Sequence, residues 1–344
     1  MTVSQSVHIA LGCVLAAASW LLSTSVWAQA VSAPSPVASP ATASGPSNWT
    51  VSDWLERLHA ASRERAYAGT FVVTSGAEMA ASKIWHICNG VEQVERIETL
   101  TGTPRVTLRR NDEVITFVSD QRLVQRERRE ALRLFPDMLR APDQRIETFY
   151  MARPVGAERV AGFDAYVVDF LPRDQLRHAF RIWSEKQTGL MVKMQTRTHD
   201  GRVLEQVAFT ELQFDAPVSM DDLLRQMNST AGYTVLQPRM QPTGTQSLGW
   251  TLNASVPGFQ SMSAYARTEG AGNPSFQWVF SDGLASVSLF LETFDPQRHT
   301  NEKTAADGAT HSISRKMGNY WVTALGEVPV ETLSLFIQAL DTPR

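Results

Sequence analysis

The stretch KIWHICNGVEQVERIETL, residues 83–100, decides the fold class of this chain. It holds two runs rich in β-branched and aromatic residues, 83–88 and 92–100, separated by Asn89-Gly90. Asn-Gly between two such runs is a strong β-hairpin signal, because both residues tolerate the positive φ that the tight turn requires. The stretch therefore predicts two neighbouring antiparallel strands.

The same pattern continues on both sides of this hairpin. Short turn signals separate the runs and leave no room for crossover helices, so an antiparallel meander is predicted. Apolar residues at helical spacing predict a helix over 51–61, and a polar interruption over 129–151 is predicted to be helical. The further predicted strands are 67–74, 105–110, 113–118, 121–127, 158–160, 166–171, 179–184, 190–199 and 203–214.

About eleven strands are more than a flat sheet usually holds, so the sheet is expected to curl. We predict an α+β fold, with a curled antiparallel sheet over 49–215 whose concave side is filled by helices. Composition shifts to Pro, Gln and Gly within 216–245, which is interpreted as a linker. A smaller α+β domain is predicted over 246–344, ending in a helix at 330–340.

The N-terminus carries an unbroken run of small and apolar residues over 9–22, which is too short for a membrane-spanning helix and has the length of a signal-peptide core. Val26-Trp27-Ala28 suits cleavage after Ala28, so 1–28 is predicted to be a cleaved signal peptide, although no Lys or Arg precedes the run. An uncleaved anchor is the alternative. Residues 29–48 are rich in Ala, Ser and Pro and uncharged, which predicts a disordered leader.

Composition and motifs exclude several function classes. The chain has 32 basic and 35 acidic residues, which is unlike a general nucleic-acid binder, and two cysteines, too few for a disulfide scaffold. No nucleophile elbow, phosphate loop or paired metal-binding histidines occur, so no catalytic, cofactor or metal residue is predicted and the chain is not expected to be an enzyme. His86 and Cys88 share a strand face and are the weak alternative for a hydrolase.

Two sets of residues are candidates for ligand binding. Aromatic residues in the strands could line an apolar cavity on the concave side of the sheet. The alternative is that they are ordinary core residues. They are Phe71, Trp85, Phe117, Phe170 and Trp183. A local excess of arginine predicts a patch for an anionic ligand, with a solvated face as the alternative. Its members are Arg126, Arg128, Arg129 and Arg133.

The order of parts resembles the periplasmic MucB/RseB family, the negative regulators of sigma-E factor. In the second domain the resemblance rests on Pro257-Gly258-Phe259, on VFSDGLASVSLF at 279–290 and on VTALGEVP at 322–329. In the first domain it rests on Trp54-Leu55, YAGTFV at 67–72, and Arg96 through Pro104-Arg105.

The resemblance implies a first domain similar to the lipoprotein carriers LolA and LolB, an open β half-barrel with a helical plug. It also implies a periplasmic protein that binds the periplasmic part of a membrane-anchored anti-sigma factor and shields it from proteolysis. Lipopolysaccharide or lipoprotein acyl chains would release that partner. A lipid or lipoprotein carrier is the alternative function, and self-association stays open.

Two turns of the second domain are predicted to contact this partner. The alternative is that they are tight turns that serve folding only. The residues are Ser281, Asp282, Gly283, Gly326, Glu327 and Val328.

Overall fold

The computed structural model describes residues 46, 48–128, 135–136, 145–237, 239–243, 249–268 and 275–342. The predicted signal peptide and the leader up to residue 45 therefore lie outside the described residues. Within the described part of the chain, no helix is long and apolar enough to cross a membrane.

The described part is mostly β with few helices. The helices are α1 Val51–Glu64, α2 Ile146–Phe149, α3 Met220–Asn228 and α4 Val330–Ala339. The strands of the first sheet are β1 Tyr67–Ser75, β2 Glu78–Cys88, β3 Gln93–Thr99, β4 Arg105–Arg110, β5 Glu113–Val118, β6 Leu123–Arg128, β7 Tyr150–Val160, β8 Phe163–Pro172, β9 Ala179–Glu185, β10 Met191–Arg197, β11 Val203–Phe214 and β12 Thr234–Leu236. Those of the second region are β13 Arg239–Pro242, β14 Thr251–Leu252, β15 Gln260–Thr268, β16 Ser275–Ser281, β17 Ser286–Thr293, β18 Lys303–Asp307, β19 Thr310–Met317, β20 Tyr320–Gly326 and β21 Leu340–Asp341.

The first domain is a 12-stranded sheet in the order β12-β6-β5-β4-β3-β2-β1-β11-β10-β9-β8-β7. Neighbouring strands pair antiparallel, as the turn signals predict, apart from β12, which runs parallel to β6. The hairpin predicted at Asn89-Gly90 joins β2 to β3. A sheet of this size curls, and one of its faces becomes the concave side.

Helix α1 occupies the concave side. It begins at a capping box in which the Asp53 amide donates to Thr50 Oγ1 over 3.2 Å and the Thr50 amide donates to Asp53 Oδ2 over 2.8 Å. Its apolar residues, including the fully buried Trp54, share one core with side chains from β1, β2 and β8 to β11. Strands from the middle and from one side of the sheet thus close around one helix.

Helix α3 packs on the opposite face of the sheet. Leu223 and Met227 join a separate cluster with Val94, Leu108 and Ile115, which project from β3, β4 and β5 away from α1. The prediction that helices fill the concave side therefore holds for α1 and not for α3. The segment expected to be a linker contributes both α3 and β12 to the first domain.

Most of the predicted helical interruption at 129–151 lies outside the described residues. In the described part, α2 is a single turn, and Tyr150 already begins β7. Tyr150 is fully buried in the core, so tertiary packing decides the start of a strand where the polar sequence indicates helix.

The second domain is a 7-stranded sheet in the order β13-β15-β16-β17-β20-β19-β18, with α4 packed on it through a core that includes Leu333 and Phe336. The sequence predicts strands at 250–252, 276–280, 285–291, 312–317 and 320–325 in this region, so β13, β15 and β18 have no predicted counterpart. All five positions of β18 are exposed, so no apolar alternation marks it. A large curled sheet followed by a smaller sheet domain confirms the predicted fold class.

Candidate functional site

The two domains meet around Arg177, which lies in the loop between β8 and β9 and is fully buried. Its Nε donates to Asp282 Oδ2 of the second domain over 2.8 Å. The guanidinium also donates to the Asp174 carboxylate and to the Pro257 carbonyl oxygen. A buried arginine keeps its charge, so this set of acceptors replaces the water that the guanidinium loses.

Aromatic rings from both domains lie against the same guanidinium. The Arg177 Cζ atom lies 4.5 Å from the ring centre of Phe149 in the first domain and 5.1 Å from that of Phe259 in the second. Desolvated cation–π contacts of this kind are worth about 2 kcal/mol. The junction is thus held by one side chain that both domains surround.

Asp282 is the acidic centre of this junction. Its Oδ2 also accepts a hydrogen bond from the Tyr150 hydroxyl over 3.3 Å, and its Oδ1 accepts the Ala285 amide over 2.7 Å. Burial raises the pKa of Asp282, against the opposing effect of the Ala285 amide and Arg177. Burial, with the charge of Asp282, raises the pKa of Tyr150 well above its ordinary value.

Gly258 permits the close approach of the two domains. Its φ is +83°, and a Cβ atom there would lie 2.0 Å from an Arg177 nitrogen and 3.0 Å from the Phe149 ring. Glycine is therefore required on both conformational and steric grounds. The Pro-Gly-Phe motif at 257–259 is a structural part of the junction.

A second contact joins the domains at the β18–β19 turn. Gly308, with φ +57°, packs so closely on Ser75 that an added Cβ would lie 2.1 Å from its Oγ. The Ser75 hydroxyl donates to Asp307 over 3.2 Å, and the Ala309 backbone bonds both Glu205 and His178 of the first domain.

This second contact gathers titratable groups. The rings of His178 and His311 lie 5.8 Å apart across the junction. Burial, then the nearby His311 and His199, lowers the pKa of His178 from 6.5 to about 4. Burial raises the pKa of Glu205, helped by Glu327 and Asp307, and burial also raises the pKa of Glu327.

Comparison with known proteins gives these domains a family. The profile of the MucB/RseB N-terminal domain matches residues 50–227, and that of the MucB/RseB C-terminal domain matches residues 244–341. The chain belongs to the MucB/RseB family.

Individual relatives agree with this assignment. The chain is 30% identical over 290 residues to the sigma factor AlgU regulatory protein MucB of Pseudomonas aeruginosa, covering 82% of this chain and 87% of that protein. It is 21% identical over 281 residues to the sigma-E factor regulatory protein RseB of Escherichia coli K12, covering 81% and 86%.

Solved structures show the same fold. A crystal structure of MucB in complex with MucA(peri) has a TM-score of 0.65 and 26% sequence identity, covering 85% of this chain and 99% of that one. The Pseudomonas aeruginosa MucA/MucB complex has a TM-score of 0.66 over the same shares.

In this MucB/RseB member, the predicted partner residues are engaged within the chain. Ser281 Oγ donates to the Ala285 carbonyl oxygen over 2.9 Å, Asp282 binds Arg177, and Gly283 lies 3.4 Å from Ile146, measured from the Cβ position that an alanine would have. Gly326 lies against the Ser286 carbonyl, and Val328 is fully buried. Glu327 is half-buried near Glu205. Their role in partner binding stays a prediction.

The five candidate cavity aromatics do not share one site. Phe71 and Phe170 belong to the core around α1, and Phe117 belongs to the cluster under α3 and contacts Tyr233. Trp183 is buried in the same cluster as Phe170 but projects from the opposite face of β9, beside Lys193. Trp85 projects from the face opposite α1, because its neighbours Ile84 and His86 on β2 face inward. There it lies between Lys83 and Arg96, whose charged groups are 5.1 and 4.6 Å from its ring.

The predicted arginine patch is described only in part. Arg126 is half-buried and lies 3.6 Å from the Glu113 carboxylate, which offsets its charge. Arg128 ends β6, and its side chain, like all of Arg129 and Arg133, lies outside the described residues. Anion binding by this patch stays a prediction.

A buried ionic network in the first sheet was not predicted from the sequence. His86 Nδ1 lies 3.0 Å from Glu95 Oε1, and Arg109 Nε donates to Glu95 Oε2 over 2.8 Å. Burial acts to raise the pKa of Glu95, but the His86 and Arg109 contacts outweigh it and leave that pKa below its ordinary value. The three residues are paired in register across β2, β3 and β4, so the hairpin prediction contained the signal.

Neither a metal site nor a nucleophilic site emerges in the described part. Among its His, Cys, Asp and Glu residues, no group is arranged to hold a metal ion. Cys88 is half-buried beside a cavity of about 650 Å³, and burial raises the pKa of its thiol, with the charge of Glu64 adding to the effect. A raised pKa keeps a thiol protonated and poorly nucleophilic.

Proposed function

We propose that this chain is a periplasmic negative regulator of an extracytoplasmic-stress sigma factor. It binds the periplasmic part of a membrane-anchored anti-sigma factor, shields it from regulated proteolysis, and releases it on an envelope-stress lipid signal. One observation carries the proposal: both domains match the family, and the fold matches a MucB solved with MucA(peri) over 85% of this chain.

The mechanism follows from the accessibility of an extended segment. A protease needs an exposed, flexible stretch of polypeptide, and a segment that becomes ordered on binding is withdrawn from it. A lipid that binds better to the partner-free form shifts the population toward release. Binding alone, without bond-breaking chemistry, is therefore sufficient for regulation.

The second domain supplies the surface that we assign to the partner. Leu325 is 37% exposed at the end of β20, directly before the Gly326-Glu327-Val328 turn. An exposed apolar side chain beside a turn whose Gly326 and Val328 are buried is a suitable contact for a partner segment, because the centre of an interface is more apolar than its rim. Asp282 is committed to Arg177, so a partner at that turn would contact Gly283 and the backbone.

Protection of the partner segment tests the proposal. The chain should co-purify with the periplasmic segment of its anti-sigma factor and slow its cleavage by an added protease. Leu325→Asp should weaken binding about tenfold, the loss of about 1.4 kcal/mol expected for an interface anchor. Leu335→Asp is the matched control, because Leu335 is equally exposed, at 37%, on α4. Absence of any protection by the unmodified chain would contradict the proposal.

The carrier alternative has weaker support from the fold. Helix α1 and close-packed aromatic side chains, among them Trp54 and Phe170, fill the concave side that a carrier would need for its cargo. A lipid signal would then release the partner by displacing packed side chains, because a shift in population does not require a preformed cavity.

Export to the periplasm is part of the proposal. Cleavage after Ala28 would leave a chain that begins at Gln29. The N-terminal sequence of the protein recovered from an envelope fraction tests this directly. A protein that begins at Met1 and stays with the membrane would support the uncleaved anchor instead.

A further inference from the structure

The outer face of the first sheet, opposite α1, carries an arginine cluster formed by Arg153, Arg181 and Arg197. They project from β7, β9 and β10 around Asp169 of β8. Arg153 is paired in register with Asp169, and Asp169 with Arg181. Arg197 is paired with Ala179, two positions before Arg181, so the three arginines share this face. Helix α3, which packs on the same face, covers β3 to β5 at a distance from them.

Asp169 holds the cluster in place. Its Oδ1 accepts Arg181 Nε over 2.6 Å, its Oδ2 accepts Arg153 over 2.8 Å, and Arg197 lies 3.9 Å away. Its carboxylate is 2% exposed, and although burial acts to raise its pKa, the Arg181 and Arg153 bonds leave that pKa below its ordinary value. A single carboxylate thus faces three guanidinium groups.

The other charges nearby do not cancel this excess. Glu158 accepts the Trp183 indole N–H over 2.8 Å, and Lys193 lies 4.3 Å from the same ring, so one acid and one base lie side by side. Asp200 and Arg202 are another acid and base, two positions apart near the β10–β11 turn. The outer face therefore keeps a net positive charge at the arginine cluster.

Arg153 is the most solvent-exposed member of the cluster and has an exposed apolar neighbour. The Arg153 side chain is 58% exposed, that of Arg181 24% and that of Arg197 21%. Met151, two residues before Arg153 on the same face, is 42% exposed, and Met79 of β2 is 66% exposed farther along it. A cation next to a flexible apolar side chain matches the boundary between phosphate headgroups and acyl chains.

The edge of the sheet does not invite an added strand. β7 is an edge strand, but Pro154 lacks an amide hydrogen, and a register shift between Pro154 and Gly156 bends the strand there. Such devices prevent strand addition at a free edge. The face, and not the edge, is the surface available to a partner.

We propose that the arginine cluster docks this chain onto an anionic phospholipid surface. Arg153, the most exposed of the three guanidinium groups, donates hydrogen bonds to phosphate oxygens, the positive charge of Arg181 and Arg197 adds to the attraction, and Met151 enters the headgroup boundary beside Arg153. That such a surface lies within reach rests on the proposed function, whose partner is anchored in a membrane. Docking confines the regulator to the layer in which that partner is displayed.

Sedimentation with vesicles tests the docking. The exported form of the chain should bind vesicles of phosphatidylglycerol and phosphatidylcholine in equal parts, and not vesicles of phosphatidylcholine alone. Each basic residue near an anionic surface contributes about fivefold in binding, so Arg153→Gln should lower it about fivefold and the Arg153→Gln/Arg197→Gln double variant further. Salt at about 0.5 M should abolish binding.

Arg159→Gln is the matched control. Arg159 lies on the same strand and is exposed, but it is paired with Asp164 and bonded to the Gly162 carbonyl oxygen, about 20 Å along β7 from Arg153. This variant loses the same charge and should bind vesicles like the unmodified chain. Circular dichroism of both variants checks that the fold is intact.

Three outcomes would overturn the inference: no binding to anionic vesicles, equal losses for Arg153→Gln and Arg159→Gln, or capture of poly-glutamate in preference to vesicles. The last result would assign the surface to an acidic polypeptide.

Protection of the anti-sigma segment in solution, without vesicles, should be the same for Arg153→Gln and the unmodified chain. Loss of protection with vesicle binding retained would contradict the proposed function alone.

Discussion

Asp282 at the junction and Asp169 on the outer face are both buried aspartates bonded to arginine, but they differ in where the arginines lie. Arg177 is as fully buried as Asp282, whereas Arg153 keeps a side chain that is 58% exposed. Breaking a fully buried pair leaves a charge without water or partner, while an exposed partner can be replaced by solvent. The same chemistry thus locks two domains in one place and displays positive charge in the other.

Removing Arg177 should have the largest effect. Arg177→Met leaves the Asp282 carboxylate buried without its cation, and we expect a loss of about 3–5 kcal/mol in the free energy of unfolding. Denaturant titration measures it, and limited proteolysis should show new cleavage near the junction. Arg173→Met is the control, because Arg173 is an exposed neighbour bonded to the Glu147 carbonyl oxygen. Equal losses in the two variants would remove the contrast between buried and exposed pairs.

The junction should also weaken in acid through His178. Its pKa is lowered from 6.5 to about 4, so between these values the unfolded chain binds the extra proton and stability rises with pH. The contribution of His178 is complete above about pH 6.5 and is lost toward about pH 4, at most about 3 kcal/mol.

The raised pKa values of Glu205 and Glu327 act in the opposite direction, since protonation there favours the folded state as the pH falls. The difference in unfolding free energy between the unmodified chain and the His178→Gln variant therefore isolates the contribution of His178. Unfolding free energies measured across this range should converge toward acid pH. Parallel curves would show that His178 is not buried at the junction.

Two glycines with the same backbone angle separate steric closeness from conformational strain. Gly258 and Gly232 both have φ +83°, but a Cβ at Gly258 would meet Arg177 at 2.0 Å, whereas nothing lies within 4 Å of one at Gly232. Both alanine variants share the cost of a positive φ, and Gly258→Ala should lose about 1–3 kcal/mol more through overpacking. Thermal unfolding measures the difference, and equal values would mean that the domains do not press against Arg177.

The smallest effect is expected at Arg153. Arg153→Gln removes one of the hydrogen bonds to Asp169, but Arg181 still binds both carboxylate oxygens. For so exposed a pair we expect a loss of less than about 1 kcal/mol in unfolding free energy. A loss comparable to that of Arg177→Met would show that the cluster is a structural lock, and its vesicle binding would have to be tested by Lys substitution instead.

The sequence predicted local features well. The strands β1, β4, β5 and β11, the helix α1 and the turn at Asn89-Gly90 follow from alternation, spacing and turn chemistry, which act within a few residues. The strand β18 was missed because every position is exposed, and β7 was partly missed because burial of Tyr150, not local propensity, decides its start.

The candidate site was predictable only in part. The turns at 281–283 and 326–328 were recognised through family resemblance, but the partner of Asp282 is Arg177, 105 positions away. The aromatic residues were assigned to one cavity from their strands alone. Which face each occupies depends on register, and register placed Trp85 outside and Phe117 under α3.

By itself, the sequence determined the number and type of most elements, the antiparallel order of the first sheet and the family, because these depend on neighbouring residues and short motifs. The tertiary structure alone decided which distant charges meet: Arg177 with Asp282 across the domains, and three arginines around Asp169. The physical reason is that an ion pair depends on distance and on the exclusion of water, and folding sets both between residues far apart in the chain.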